Sequence, residues 1–170
     1  MSTPLLDKPI AVGRTAEVFA WDDGHILKLY RDWCPANWVE DGLKIGRIVQ
    51  SAGLPVPAIG DIVDIEVRRG VIYERINGVS MLDDFKRQFW SVQRHARTFA
   101  ELHAAIHNCV VPVDLPSLKD GFANSIRNTP NLPRDLRDSV LRQLDTMTDK
   151  VQLCHGDFHP GNVMLTARGS

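Results

Sequence analysis

Cysteine is scarce in this chain of 170 residues, which has only Cys34, Cys109 and Cys154. They are odd in number and far apart, so they form neither a disulfide framework nor the paired spacing of a zinc site. Free thiols in a reducing cytoplasm are the expected state. An excess of either charge is also missing, since 20 Lys and Arg face 21 Asp and Glu for a net charge of −1. That balance excludes a protein that holds nucleic acid by bulk positive charge. No uncharged apolar run approaches the length of a membrane span. Met1 to Asp7 lacks the basic and apolar regions of a secretory signal. Internal repeats and low-complexity stretches are absent as well. What remains is a chain with 44% hydrophobic and 24% charged residues. This is the composition of an ordinary globular domain able to bury a core.

The two halves differ in texture. Residues 9–76 read mainly as strands: Ile10 to Val12, Glu17 to Trp21 and His25 to Tyr30, with a hairpin at Asp22-Asp23-Gly24 where Asp-Gly tolerates positive φ. Pro35 opens a helix carrying Val39, Leu43 and Val49, and Gly53 and Pro55 end it. Ile59 to Val67 and Val71 to Ile76 predict a second hairpin, turned at Arg69-Gly70. Residues 81–148 read mainly as helices. Phe89, Val92, Ala96, Phe99, Leu102 and Ile106 recur at helical spacing and predict one long amphipathic helix. Pro112 and Pro116 break the chain, and Leu136, Val140, Leu144 and Met147 mark a further helix. Val151 to Cys154 predicts a short strand.

That strand leads into His155-Gly156-Asp157-Phe158-His159-Pro160-Gly161-Asn162, followed by Val163-Met164-Leu165. The loop holds a carboxylate and, five residues on, an amide. Phosphoryl transfer uses both groups: a carboxylate to accept or orient the proton of an attacking hydroxyl, and an amide oxygen to help hold magnesium. The spacing equals that of the protein-kinase catalytic loop. The bland alternative is a polar turn capped by Asp and Asn.

Two features upstream bear on the choice. Lys28 stands alone in an apolar strand. Such a lysine ordinarily snorkels to solvent, but in a kinase the third strand carries a lysine that grips phosphates. Glu40 lies early in the next helix, where a kinase needs an acid to fix that lysine; Asp41 is the fallback. The turn at Gly13-Arg14-Thr15-Ala16 has too few glycines to be a phosphate fingerprint alone. It can still offer Gly13 and Thr15 to a nucleotide. Tyr73 to Gly78 reads either as a plain strand end or as a hinge facing adenine.

Taken together, these residues resemble the aminoglycoside phosphotransferase family of small-molecule kinases, which is related to choline kinases and protein kinases. The resemblance is carried by Leu153 to Val163, Gly13 to Phe19, Leu27-Lys28-Leu29, Gly53 to Pro57 and Leu102-His103. It implies an α+β, protein-kinase-like fold with a nucleotide-binding N-lobe at 1–78 and a partial, mostly helical C-lobe at 79–170. It implies Asp157 as catalytic base and Asn162 as a magnesium ligand. Lys28 would bind phosphate, Glu40 would position it, and Glu74 and Ile76 would line the adenine pocket. ATP (or GTP) and Mg2+ would serve a hydroxylated small-molecule substrate. Choline, homoserine, amino sugars, aminoglycosides and macrolides all remain open. His155 is expected to brace the loop and His159 to be a loop or substrate contact. His25, His95, His103 and His107 are expected to pack or lie at the surface.

The sequence also departs from the family. Residues 163–170 hold no acid, whereas the family has a metal-chelating Asp after the next strand, in an Ile-Asp-Trp-like motif. Two expectations follow: a fragment of a working kinase, or a degenerate one that binds nucleotide without turnover. In either case the apolar face of the 89–108 helix should be underpacked.

Overall fold

The computed structural model describes residues 6–110, 115–148 and 152–166. Its first part is a five-stranded antiparallel sheet in the order β1-β2-β3-β5-β4, with one helix against it. The strands are β1 (Ala11–Val12), β2 (Ala16–Ala20), β3 (His25–Tyr30), β4 (Ile59–Ile65) and β5 (Arg68–Glu74), and the helix between β3 and β4 is α1 (Ala36–Ser51).

Alternation decides the two faces of the sheet. Leu27 and Leu29 of β3 are fully buried and join Phe19 and Ile65 in a core to which Leu6, Trp21, Val63 and Ile72 add. Ile26, Lys28 and Tyr30 therefore fall on the opposite face. Lys28 stands between Val18 of β2 and Val71 of β5. Val39 on α1 is buried, as is Val71. Glu17 ties three strands together: Arg68 donates to its carboxylate at 2.7 Å and to the Tyr30 carbonyl at 2.8 Å, and Arg31 reaches it at 3.2 Å.

The β2–β3 hairpin stands where expected, but Gly24 has no positive φ. Instead the Asp22 carboxylate accepts the Gly24 N–H at 2.8 Å, an Asx turn. That bond, with His25 beside it, holds the Asp22 carboxyl below its ordinary range. The second hairpin turns at Glu66-Val67, with Glu66 at φ 56°, and not at Arg69-Gly70. Gly70 is instead buried inside β5, where a Cβ would come within 2.7 Å of Leu27 Cδ1 and 3.1 Å of the Lys28 carbonyl. The glycine serves close strand packing rather than a turn.

The second part is helical. Its elements are β6 (Gly78–Ser80), α2 (Met81–Arg87), a 3-10 turn (Phe89–Ser91), α3 (Val92–Asn108), α4 (Leu118–Asn128), α5 (Arg134–Asp145), a second 3-10 turn (Pro160–Asn162) and β7 (Met164–Thr166). The single helix expected from Phe89 onward is thus divided. Gln88, at φ −136°, ends α2, and Phe89 lies in the turn. Phe89 is 72% exposed, Trp90 67% and Val92 47%. Ser80 caps α2 by accepting the Asp83 N–H at 3.0 Å, and Ser117 caps α4 in the same way from Asp120 at 3.2 Å. The periodicity alone did not disclose α2, α4 or β6. Gln152 to Cys154 form no strand, and Val151, Pro112 and residues 167–170 lie outside the described residues.

β6 pairs antiparallel with β7, Gly78 opposite Thr166 and Ser80 opposite Met164. The Met81 N–H extends this ladder to the Val163 carbonyl at 2.8 Å, and both residues are buried. A Cβ at Gly78 would fall on the Leu165 carbonyl oxygen, so glycine is required for the approach.

Two glycines give opposite predictions. Gly70→Ala is expected to lower stability by about 1–3 kcal/mol through overpacking. Gly42→Ala, on α1 with open space around it, is expected to raise it by about 0.8–1.0 kcal/mol through helix propensity. Urea denaturation of the three proteins checks both signs.

Candidate active site

The loop from His155 to Asn162 hangs between its own local hydrogen bonds and the β6–β7 ladder. Gly156 takes φ 82° and turns the chain where an L side chain would be strained. The Asp157 N–H donates to His155 Nδ1 at 3.3 Å, so His155 does brace the loop. His159 Nδ1 accepts the Gly161 N–H at 3.1 Å and caps the 3-10 turn, whose Asn162 N–H returns to the His159 carbonyl at 2.9 Å. Phe158 stacks on Phe99 at 4.2 Å and on His103 at 5.1 Å, both from α3. These contacts tie the loop to α3.

Asp157 and Asn162 meet directly. Asn162 Nδ2 donates to the Asp157 carbonyl at 2.9 Å and to its Oδ2 at 3.2 Å. His159 Nε2 lies 3.8 Å from the same Oδ2. The Asp157 side chain is 79% exposed, so an incoming hydroxyl can reach it. With Nδ2 turned to Asp157, Asn162 Oδ1 is left for a hard cation. Among the described residues no group of three His, Cys, Asp or Glu gathers as a metal site. A magnesium ion asks little of the protein, one or two oxygens with phosphate and water filling its shell, and Asn162 Oδ1 and the Asp157 carboxylate are oxygens of that kind.

Of the expected nucleotide residues, Lys28 and Glu74 lie in strands of the sheet, Gly13 and Thr15 in the β1–β2 turn, Glu40 on α1 and Ile76 in the link to β6. Gly13 closes its turn by donating its N–H to the Ala16 carbonyl at 2.8 Å, and the Thr15 carbonyl accepts the Arg31 N–H at 2.9 Å. Lys28 Nζ lies 5.3 Å from the centre of the Tyr30 ring and has no carboxylate partner among the described residues. Glu40, expected beside Lys28, is instead bound by Arg69 at 2.6 Å. Arg69 also holds Asp64 at 2.8 Å, and its hydrogen bonds keep the Asp64 carboxyl below the ordinary range. Arg69 sits two residues before Val71, on the same sheet face as Lys28, and reaches the helix first. Glu74 is engaged at both ends, its carboxylate by the Ala58 N–H at 3.0 Å and its own N–H by the Ala58 carbonyl at 2.8 Å. Ile76 is half-buried in the link to β6.

Sequence reasoning missed the buried pair Asp84 and His95, whose Nε2 meets Oδ2 at 2.8 Å. The two residues lie on different helices, α2 and α3, so no single helical period links them. It also missed the Phe99–His103–Phe158 stack, although the four-residue step from Phe99 to His103 was a signal for one shared helix face.

An antiparallel five-stranded sheet with one helix, joined to helices that hold an Asp-to-Asn loop, defines a protein-kinase-like fold. The same fold is found in a thermostable mutant of aminoglycoside phosphotransferase APH(4)-Ia in its apo form, at 20% identity and a TM-score of 0.63. A second structure of that enzyme, a ternary complex with AMP-PNP and hygromycin B, gives 19% identity and a TM-score of 0.64. Each comparison covers 94% of this chain and 62% of the other, so this chain spans less than two thirds of their length. No curated protein sequence matches it. The chain belongs to the phosphotransferase enzyme family (APH), whose model matches residues 8–170.

The lysine-bearing face also carries a titration signature. Burial, with the Tyr30 hydroxyl nearby, pushes the Tyr73 phenol up to about 12. The folded state then holds this proton more tightly than the unfolded chain. Its contribution to stability is complete below the ordinary tyrosine range near 10 and is lost as pH rises toward about 12. Absorbance titration at 295 nm is expected to show a tyrosine ionising near pH 12 that disappears in Tyr73→Phe.

Proposed function

We propose that this chain carries the nucleotide lobe, residues 1–78, and the catalytic-loop portion, residues 79–170, of a small-molecule kinase. The reaction moves the γ-phosphate of ATP (or GTP) to a hydroxyl of a small molecule, an aminoglycoside or other hydroxylated metabolite. The observation that carries this reading is the direct Asp157–Asn162 contact in an exposed loop. Asp157 accepts or orients the hydroxyl proton at its exposed carboxylate. Asn162 fixes that carboxylate through Nδ2 and would hold Mg2+ through Oδ1. The metal, when bound, neutralises charge on the polyphosphate. Lys28 offers an ammonium to the phosphates from the face it shares with Val18 and Val71. Gly13 and Thr15 turn the chain at the edge of that face, and Glu74 and Ile76 border the link toward the loop. AMP-PNP in the ternary complex of the aminoglycoside phosphotransferase supports nucleotide use, and hygromycin B there supports a small-molecule acceptor. Free Cys34, Cys109 and Cys154 fit a reducing cytoplasm. No described helix is long and apolar enough to cross a membrane.

One observation favours a second reading, a nucleotide-binding module without turnover. Glu40 is held by Arg69, so Lys28 lacks the acid that would fix it. Nucleotide binding that is indifferent to magnesium, with no transfer to any acceptor, would select this reading.

The first reading predicts that Asp157→Ala lowers transfer by about 10²–10⁴-fold while leaving nucleotide affinity intact. Lys28→Ala is expected to weaken nucleotide binding. Transfer from labelled ATP to a panel of hydroxylated acceptors, paired with calorimetric nucleotide titration, measures both. Equal loss of transfer and affinity in Asp157→Ala would remove its role as base.

A further inference from the structure

Asp84 and His95 form a largely enclosed polar contact in the helical part. Their side chains are 14% and 7% exposed, and His95 Nε2 meets Asp84 Oδ2 at 2.8 Å. Gln88 Nε2 donates to the other carboxylate oxygen at 3.4 Å, and Arg94 stands at 3.8 Å from Oδ2. The pair is a hydrogen-bonded link between α2 and α3, with the longer Arg94 contact beside it. Burying a carboxylate is costly unless its partners are held in place, so the bond fixes the relative placement of the two helices.

The N-terminal end of α2 packs against the segment that closes the loop. The Met81 N–H binds the Val163 carbonyl at 2.8 Å. Leu82 Cδ2 lies 3.8 Å from the Cβ position of Gly161, and α2 packs along the Pro160–Asn162 turn. Asn162 therefore sits between two residues that rest on α2, and its amide in turn holds the Asp157 carboxylate. The α3 helix also touches the loop separately, through Phe99 and His103 on Phe158. A change in how α2 sits on α3 must shear one contact against the other.

We propose that Asp84 and His95 are positioning residues that set the Asn162 side chain against Asp157. The purpose assigned to them rests on reading that contact as a phosphoryl-transfer centre. Their physical effect does not require turnover to be seen. Contiguity alone does not establish such a coupling, so the test reads Asn162 itself.

The full chain, labelled with 15N, gives a pair of side-chain amide resonances for Asn162, assigned by their loss in Asn162→Ser. His95→Ala is expected to shift both resonances and to weaken MgADP binding by about 10-fold or more, the usual cost of losing a group that orients a metal ligand. His95→Gln, whose amide N–H can still donate to the carboxylate, restores the resonances toward wild type. Arg94→Ala leaves them in place. Should His95→Ala fail to fold, the double variant Asp84→Leu with His95→Phe replaces both partners by apolar groups and avoids a buried unpaired carboxylate. The same shift is expected in it. A folded variant lacking the pair, with Asn162 resonances at wild-type positions, overturns the proposal. Shifted resonances in a protein whose wild type binds no MgADP uphold the positioning and overturn the kinase reading instead.

Discussion

The site depends on the short β6–β7 ladder. It joins Gly78–Ser80 to Met164–Thr166 and continues through Met81 to Val163. Bringing such distant segments together costs on the order of 4 kcal/mol in loop entropy. Backbone hydrogen bonds and the burial of Met81 and Val163 offset that cost. The loop at 155–162 lies just before β7, so its height and direction are inherited from this pairing. Gly78 is the place where the constraint is strictest, since no side chain fits between the strands.

The second organising feature is a competition among charges on the sheet face toward α1. Lys28 and Arg69 share that face, two carboxylates are near it, and Arg69 binds both Glu40 and Asp64. Its planar fork can serve two carboxylates at once, which a lysine ammonium matches poorly. Lys28 is left beside the Tyr30 ring. The arrangement docks α1 to the β4–β5 hairpin rather than to the centre of the sheet.

Much of the chain was legible in its residues. The Asp22-Asp23-Gly24 turn followed by the apolar run His25 to Tyr30 marks β3 to the residue, and a slip in its register would expose Leu27 and Leu29. Pro35 marks the entry to α1. The polar segment 155–162 stood out because Asp, Gly, His and Asn cluster there between apolar runs. Other elements were hidden for identifiable reasons. Gly70 looks like a turn residue, yet it answers a steric demand from Leu27 across the sheet. The α2 helix spans seven residues, too few for a periodic signal. The β6 strand has three residues and a partner that lies far along the chain.

The sequence by itself determined the first three strands, where the first hairpin turns and which loop carries a carboxylate and an amide at a fixed spacing. These are local properties, set by backbone sterics and by side chains only a few positions apart. Tertiary structure alone decided that Arg69 and not Lys28 takes Glu40. It also decided that Asp84 finds His95, that Phe158 lies on Phe99, and that Gly78 meets Leu165. Each of these is a choice among several chemically suitable partners, and only packing geometry brings one of them within reach.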